Sequence, residues 1–339
     1  MEPNADDLFV KLGFVQKIHI NSRGLREREI PYQKSPDRLR ILVIGDSAVV
    51  GFEVAEQERY TAVVERILNE RGMRVEVINA GTRGWGTDQS LLFLLDEGLH
   101  YQPDVVLYQW TDNDSYDNAT IHRPFRIYGK PWFTVGADGR PELRGVPVPD
   151  YPYRSNLRVG ENGEPVELAV GLRSSALLWV RDVFVCHSAF ASWLTRLAVS
   201  VPSFTGSLNA ASTYNDTTDR PADMGQQSHV SRVTVALIRE MERASREAGA
   251  HFAVVAAGSG FGGDAREAAG LPDLGDLERL RDRTPKGARL QVENDPHWNA
   301  LGHQLYGEAL AESLLAAGLL QPPATDPVAA APGATLPSQ

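Results

Sequence analysis

Four short runs of apolar residues, each followed by a segment with helical spacing, constrain the fold of this 339-residue chain most strongly. The runs cover residues 40–44, 75–79, 104–110 and 251–257. A strand that is apolar on both faces must be covered on both sides, as in a parallel sheet between two layers of helices. We therefore predict an α/β fold, a three-layer α/β/α sandwich with a mainly parallel sheet and a long insertion.

The order of these segments divides the chain into a core and several additions. The helices are predicted at residues 59–71, 88–100, 230–248 and 300–317. We assign the core to residues 39–114 and 229–320. Residues 1–38 are predicted to be an N-terminal extension that packs on the core, and the Pro- and Ala-rich residues 321–339 to be a disordered tail.

The alternation of strands and helices stops at residues 115–228, which we interpret as an insertion or lid subdomain. Within it, residues 123–150 are predicted to form a β-hairpin or meander that turns at residues 137–139, residues 174–199 a helix, and residues 202–228 a loop. The aromatic residues of this stretch either form its own small core, which we favour, or line an acyl or sugar pocket; they include Tyr116, Tyr128, Trp132, Phe133, Tyr151, Tyr153, Trp179 and Trp193.

Composition excludes several classes of protein. The net charge of −10 argues against a sequence-independent grip on nucleic-acid phosphates. The one cysteine, Cys186, can form neither an internal disulfide nor a cysteine-based metal site. The chain has no signal-peptide pattern and no run of about 18 apolar residues that could span a membrane. We expect a soluble, cytoplasmic protein as the sequence is written, and an exported one if the chain is a fragment of a longer, anchored protein.

Polar motifs lie at the ends of the first three strands and before the last helix: Ile44-Gly45-Asp46-Ser47, Asn79-Ala80-Gly81-Thr82-Arg83-Gly84, Trp110-Thr111-Asp112-Asn113-Asp114 and Asn294-Asp295-Pro296-His297-Trp298-Asn299. Each has an ordinary structural interpretation, since Asp and Ser cap helices, glycines form turns, and Asn and Asp are common in loops. However, open α/β sheets bind their ligands at the C-terminal ends of the strands, where these motifs can converge on one site.

The residue types in these motifs suit nucleophilic catalysis. Ser47 can be exposed where a helix begins, and the Asn113 amide can donate a hydrogen bond to an oxyanion. Asp295 lies two positions before His297, with a proline between them. A carboxylate in that place can orient an imidazole ring and stabilise its protonated form.

Taken together, the four motifs resemble those of the GDSL/SGNH hydrolase family, which contribute a Ser, a Gly, an Asn and a His. The matching residues are Ser47 in Gly-Asp-Ser, Gly81 in Asn-Ala-Gly, Asn113 in Asn-Asp and His297 in Asp-Pro-His. The segment of residues 19–26, His-Ile-Asn-Ser-Arg-Gly-Leu-Arg, also looks like a bacterial branch of this family. The resemblance implies a flavodoxin-like sandwich and covers residues 19–114 and 228–318, while the insertion matches only loosely.

This sequence departs from the family pattern at three positions. Members often carry the acid three residues before the histidine, where this chain has Asn294. The spacing of Asp295 is instead similar to the Asp-x-His of SGNH-like acetyltransferases. Asp112 stands where a glycine is usual, and Ala48 replaces the leucine of the name-giving motif.

The resemblance implies a serine esterase that hydrolyses an acyl or acetyl ester of a small molecule or glycan. His297 would accept the Ser47 proton, Asp295 would hold the imidazole, and the oxyanion hole would consist of Ser47, Gly81 and Asn113. An O-acyltransferase with the same triad is the alternative, since an alcohol can replace water. Neither a cofactor nor a metal is expected, and the oligomeric state stays open.

Other classes fit the sequence less well. Gly258-Ser-Gly-Phe-Gly-Gly263 matches the dinucleotide fingerprint formally, but Gly270 and Pro272 follow it in place of a long helix. Val49 breaks the Gly-x-Ser-x-Gly elbow of α/β-hydrolases. The acids Asp112, Asp114 and Asp117 lack the spacing of a Ca²⁺ loop. A non-catalytic binding protein is the remaining alternative, against which Ser47, Asp295 and His297 together argue.

Overall fold

The structure is a computed structural model that describes residues 1–11, 14–111, 113–123, 128–152, 155–160, 162–168, 224–256, 269–293 and 295–321. The strands in these residues are β1 (Asp6–Lys11), β2 (Phe14–His19), β3 (Leu39–Gly45), β4 (Val75–Gly81), β5 (Val105–Trp110), β6 (Thr120–His122), β7 (Trp132–Val135), β8 (Pro141–Arg144), β9 (Leu157–Val159), β10 (Pro165–Glu167) and β11 (His251–Ala256). The α-helices are α1 (Ser47–Val50), α2 (Tyr60–Glu70), α3 (Thr87–Asp96), α4 (Asp114–Ala119), α5 (Met224–Glu247), α6 (Asp276–Arg283) and α7 (Ala300–Ala316).

The central sheet has the strand order β11-β5-β3-β4, and all of these strands run parallel. They are the four apolar runs of the sequence, with bounds that differ from the predicted ones by no more than two residues. Because the strands are parallel, their C-terminal ends lie at one edge of the sheet. Gly45 of β3 stands in register with Gly81 of β4 at that edge.

Two apolar layers cover the two faces of this sheet. Leu42 and Ile44 of β3 point to a layer that also contains Leu91 of α3 and Leu237 of α5. The intervening residues of β3 point to the opposite layer, which contains residues of α2, α6 and α7, including Leu68, Leu280 and Leu310. This alternation along buried strands confirms the predicted three-layer α/β/α sandwich.

Two predicted helix bounds were wrong. The helix predicted at residues 88–100 ends at Asp96, and the chain continues as a 3₁₀ helix, Gly98–Tyr101. A Cβ at Gly98 would lie 3.0 Å from Leu42 Cδ2, so the chain passes close to the sheet there. Helix α5 begins at Met224, so residues 224–228, predicted as loop, are helical. Met224, Gln226 and Gln227 are good helix formers and offset the helix-weakening effect of Gly225 in this first turn.

The inserted stretch contains small antiparallel sheets where the structure describes it. Strands β7 and β8 pair around residues 136–140, as the predicted hairpin requires. Strands β6, β9 and β10 form a three-stranded sheet that the sequence did not predict. Trp132 packs with Ile121 and Val159 in a small core of the insertion, as predicted, whereas Phe133 packs in the layer that covers the central sheet. The predicted helix at residues 174–199, most of the loop at residues 202–228 and all but the first residue of the tail lie outside the described residues.

The N-terminal residues contact the core close to the end of β3. Strands β1 and β2 pair as an antiparallel hairpin, and Arg26 follows them. The Arg26 guanidinium donates to the carbonyl oxygens of Val50, Gly51 and Val54, which lie at the C-terminal end of α1 and in the loop after it. None of the helices in the described ranges is both long and apolar enough to cross a membrane.

Candidate active site

Ser47 lies at the C-terminal edge of the sheet, as the first residue of α1. The preceding residue, Asp46, caps this helix, because its Oδ1 accepts a hydrogen bond of 2.9 Å from Ala48 N–H. The capping role suggested for this motif is therefore present, and it fixes the backbone that carries the serine. The Ser47 side chain stays available for a different contact.

That contact is to His297. Ser47 Oγ lies 2.8 Å from His297 Nε2, and His297 Nδ1 lies 2.5 Å from Asp295 Oδ1. Asp295 Oδ1 also accepts a 2.9 Å hydrogen bond from the His297 backbone N–H. The two-residue spacing thus allows one carboxylate oxygen to hold both the backbone and the ring of the same histidine.

A short turn presents Asp295 and His297 to the serine. Gln291 and Trp298 pair across its base as an isolated antiparallel bridge, and Val292 N–H donates to the His297 carbonyl oxygen at 2.9 Å. The Trp298 ring, which is buried, packs against Tyr306 of α7 with ring centroids 4.5 Å apart. Helix α7 and the strand pairing therefore fix the position of the histidine from two sides.

A second carboxylate faces His297. Glu53 Oε1 lies 3.6 Å from His297 Nδ1 and accepts a 2.7 Å hydrogen bond from Arg83 Nη1. Glu53 is buried, whereas the Arg83 side chain is 30% exposed. Glu53 was not predicted as a site residue, because a glutamate in the loop after α1 belongs to none of the motifs. Arg83 belongs to the second motif but had no assigned role.

The backbone N–H of Gly81, one of the three expected oxyanion donors, already has an acceptor. It donates to Asn79 Oδ1 at 3.2 Å. A Cβ at Gly81 would lie only 2.4 Å from the Val50 backbone nitrogen and 2.6 Å from Val49 Cβ. The glycine therefore lets the end of β4 approach the backbone of the helix that carries Ser47. Gly84, three residues later, is exposed and has a φ of +73°.

Asn113 lies close to Ser47 through Asp46. Its Nδ2 donates to Asp46 Oδ2 at 3.2 Å and to Asp117 Oδ2 at 2.8 Å. The same Asp46 oxygen lies 3.4 Å from Ser47 Oγ and accepts a 3.0 Å hydrogen bond from Thr111 Oγ1. The Asn113 amide is thus beside the nucleophile, with carboxylate acceptors for its N–H groups. Asp112 lies outside the described residues.

The three acidic residues beneath the nucleophile, Asp46, Asp114 and Asp117, are all buried. Burial, and secondly the charge of Asp46, raise the pKa of Asp114 well above its usual range. Its Oδ2 lies 2.9 Å from the Tyr108 hydroxyl and accepts a 2.7 Å hydrogen bond from Thr111 N–H. Arg123 pairs with Asp117. The raised pKa of Asp114 favours its neutral form, and the ion pair with Arg123 offsets the charge of Asp117, so both limit the negative charge near Ser47.

The side chains that could hold a metal ion in the described part of the chain are again Glu53, Asp295 and His297, whose ligand atoms lie within 4.8 Å of one another. Arg83 already donates to the Glu53 oxygen that faces the ring, and Asp295 Oδ1 already contacts His297 Nδ1 directly. A cation would have to displace both interactions. The glycine-rich residues 258–263, considered above as a dinucleotide site, lie outside the described residues.

A scan against protein-family models finds no match, and a search of curated proteins finds none either. Among solved structures the chain is similar to TesA, with 11% identity, 81% of this chain and 97% of that chain covered, and a TM-score of 0.40. It is also similar to the lipase/acylhydrolase from Enterococcus faecalis, with 14% identity, 85% of this chain and 100% of that chain covered, and a TM-score of 0.33. A third similar structure is a catalytic mutant of Axe2, an acetylxylan esterase from Geobacillus stearothermophilus, with 10% identity, 81% of this chain and 94% of that chain covered, and a TM-score of 0.30. Because these TM-scores are low, function has to be argued from the geometry of the site.

Proposed function

We propose that this protein is a serine hydrolase that cleaves carboxylic esters through Ser47, His297 and Asp295. One observation carries the proposal: Ser47 Oγ, the two ring nitrogens of His297 and the Asp295 carboxylate follow one another at 2.8 and 2.5 Å. A hydroxyl that can pass its proton to an imidazole, itself held by a carboxylate, is an activated nucleophile.

The proposed reaction has two halves. In the first, His297 Nε2 accepts the Ser47 proton while Oγ forms a bond to the ester carbonyl carbon. The tetrahedral intermediate then breaks its bond to the alcohol oxygen, which leaves with the proton from His297. In the second half, His297 takes a proton from water, and the resulting hydroxide attacks the acyl carbon. The bond from this carbon to Ser47 Oγ then breaks, Oγ takes the proton back from His297, and the acid is released. An acceptor alcohol in place of water would make the same site an acyltransferase.

The carbonyl oxygen becomes negative in both halves and needs hydrogen-bond donors. The Ser47 backbone N–H lies in the first turn of α1, where it has no intrahelical acceptor. Asn113 can supply an amide N–H by giving up its 3.2 Å bond to Asp46. The third donor is a backbone amide at the end of β4, as expected for Gly81, or in the loop after it. Gly81 would have to release Asn79, whereas Gly84 is exposed in that loop.

The experiment is an assay of p-nitrophenyl acetate, butyrate and octanoate together with labelling by a fluorophosphonate probe. Wild-type protein should turn over at least one ester and become labelled, and Ser47→Ala should do neither. The matched control is Ser155→Ala, because Ser155 Oγ also contacts a histidine, His122 Nδ1, at 3.3 Å but is buried in the insertion. This variant should keep turnover and labelling.

Two outcomes would decide against hydrolysis. A wild-type protein that is inert to all three esters and to the probe would refute an active Ser47–His297 pair. Labelling of Ser47 without hydrolysis would favour transfer to an alcohol, and added alcohols should then yield new esters. Preference among the three acyl chains would give the first measure of the acyl pocket.

A further inference from the structure

The Glu53 carboxylate forms an ion pair with Arg83 and also faces the ring of His297. Its carboxylate side chain is 1% exposed, so its charge must be balanced inside the protein. Arg83 provides that balance at 2.7 Å. The same oxygen, Oε1, nevertheless faces His297 Nδ1 at 3.6 Å, on the ring nitrogen that does not contact Ser47. This distance is too long for a hydrogen bond but short for an electrostatic interaction.

We propose that Glu53 is a second positioning carboxylate for His297, so that Asp295 and Glu53 together stabilise the imidazolium that forms when Ser47 loses its proton. Arg83 holds the Glu53 carboxylate in place and offsets part of its charge. The inference rests on the proposed function, because the imidazolium forms in that reaction. It adds no covalent step and changes no proton transfer.

The geometry of Asp295 explains why a second acid has a role. Asp295 Oδ1 accepts two hydrogen bonds from the same residue, from the backbone N–H of His297 at 2.9 Å and from its Nδ1 at 2.5 Å. One of them orders the turn, so Asp295 is bound to the backbone as well as to the ring. Glu53 reaches the ring from a different element, the loop after α1.

Three other ionisable groups lie near the ring or near Glu53, namely Asp46, His303 and Arg26. Asp46 contacts Ser47 Oγ, at 3.4 Å, and interacts with Nε2 through that hydroxyl. His303 of α7 is a neighbour, but burial lowers its pKa to about 3, which leaves it neutral at the pH of the assay. Arg26 donates its N–H groups to backbone carbonyls.

Opposite charge changes next to His297 should have opposite effects. In Glu53→Gln the imidazolium loses a nearby negative charge, so the acidic limb of the kcat/KM profile should move to lower pH by about one unit. In Arg83→Gln the Glu53 charge is no longer offset, so the limb should move to higher pH. A purely structural ion pair would shift both variants in the same direction or neither. Glu53→Asp, which keeps the charge, should restore most of the wild-type profile.

A matched control removes a comparable ion pair far from the site. Glu76 pairs with Arg40 at 2.6 Å near the N-terminal ends of β3 and β4, at the edge opposite Ser47. Glu76→Gln should leave the acidic limb in place. Thermal unfolding of all variants would show whether each is folded. If Glu53→Gln does not fold, Arg83→Gln alone tests the inference, through the expected shift of its acidic limb to higher pH.

A readout without turnover separates this inference from the proposed function. The His297 ring proton can be titrated by NMR and assigned with His297→Gln, whether or not the protein hydrolyses esters. Titration midpoints that move down in Glu53→Gln and up in Arg83→Gln would support the inference even for an inert enzyme. Unchanged midpoints, or shifts of the same sign, would overturn it even if wild type is an active esterase.

Discussion

Ser47 Oγ and His297 Nε2 lie 2.8 Å apart, although 250 residues separate them in the chain. They meet because β3 ends, and the turn before α7 begins, at the same edge of the parallel sheet. Trp298 secures the turn by packing against Tyr60 and Tyr306. The proposed chemistry therefore depends on how closely the elements around Ser47 pack, and several predictions test this dependence.

Asn113 gives the first prediction. If its amide serves the oxyanion, Asn113→Ala should lower kcat by about 10²–10³-fold with little change in KM. The reason is that the lost hydrogen bond forms only as negative charge develops on the carbonyl oxygen. Steady-state kinetics with the best p-nitrophenyl ester would measure both constants. A kcat within about threefold of wild type would remove Asn113 from the oxyanion hole.

Gly81 gives the second prediction, which concerns stability. In Gly81→Ala the new Cβ would lie 2.4 Å from the Val50 backbone nitrogen, and a backbone atom in a buried helix has no room to move. We expect a loss of about 3 kcal/mol in the free energy of unfolding, the upper end of overpacking costs. Urea unfolding would measure it. Gly72→Ala is the control, since no atom lies within 4 Å of its Cβ and only its φ of +84° is unfavourable. An equal or smaller loss in Gly81→Ala would contradict the prediction.

Arg26 gives the third prediction. Its guanidinium donates to the carbonyl oxygens of Val50 and Val54, at 3.2 and 2.8 Å, and to that of Gly51. Arg26→Met should cost about 2–4 kcal/mol, because buried acceptors lose their donor. Activity should also fall, since these carbonyls lie at the end of the helix that carries Ser47 and in the loop after it. Arg23→Met, at a site 39% exposed, should cost about 0.5 kcal/mol or less. Equal melting temperatures for the two variants would be inconsistent with this role.

His303 gives the fourth prediction, a pH dependence of stability. Burial, and then Arg59 and Arg26, lower the pKa of His303 to about 3, and its Nδ1 accepts a hydrogen bond from Tyr60 N–H. In the unfolded chain a histidine binds its proton near pH 6.5, so between these two values the unfolded state holds more protons. The free energy of unfolding should therefore fall as the pH falls through this window, by about 2 kcal/mol from pH 6.5 to 5.

The variant His303→Asn tests this dependence, because an amide oxygen can accept from Tyr60 N–H but does not titrate. Urea unfolding at pH 7.5 and pH 5 should show a smaller decrease in stability for this variant than for wild type. His19→Asn is the control, since the His19 side chain is 48% exposed, and it should keep the wild-type decrease. If His303→Asn also keeps it, His303 is not the residue that titrates.

The sequence predicted the central sheet well because each of its strands carries its own signal. The β3 run is apolar on both faces, and only a sheet covered on both sides can bury such a strand. The inserted stretch was predicted less completely. Its hairpin β7–β8 has a local turn signal, whereas β6, β9 and β10 are strands of only three residues each, and the pairing of β6 with β9 joins separate segments of the chain.

Roles within the site were harder to predict than residue types. Ser47, Asp295 and His297 stand in recognisable motifs, and the structure brings them into contact. The partners of Gly81 and Glu53 had no such signal. The hydrogen bond of Gly81 N–H to Asn79 is local, within the second motif, whereas the position of Glu53 opposite a ring more than 200 residues away follows only from packing.

The sequence by itself determined the parallel α/β core and the motifs at its strand ends, because hydrophobic period, strand length and turn residues are local properties. Only the tertiary structure decided what surrounds the candidate nucleophile. Contacts such as those of Arg26 with Gly51 and of Glu53 with His297 join elements that are distant in the chain. Their distances depend on how helices, turns and the N-terminal segment pack around one edge of the sheet, which no local pattern encodes.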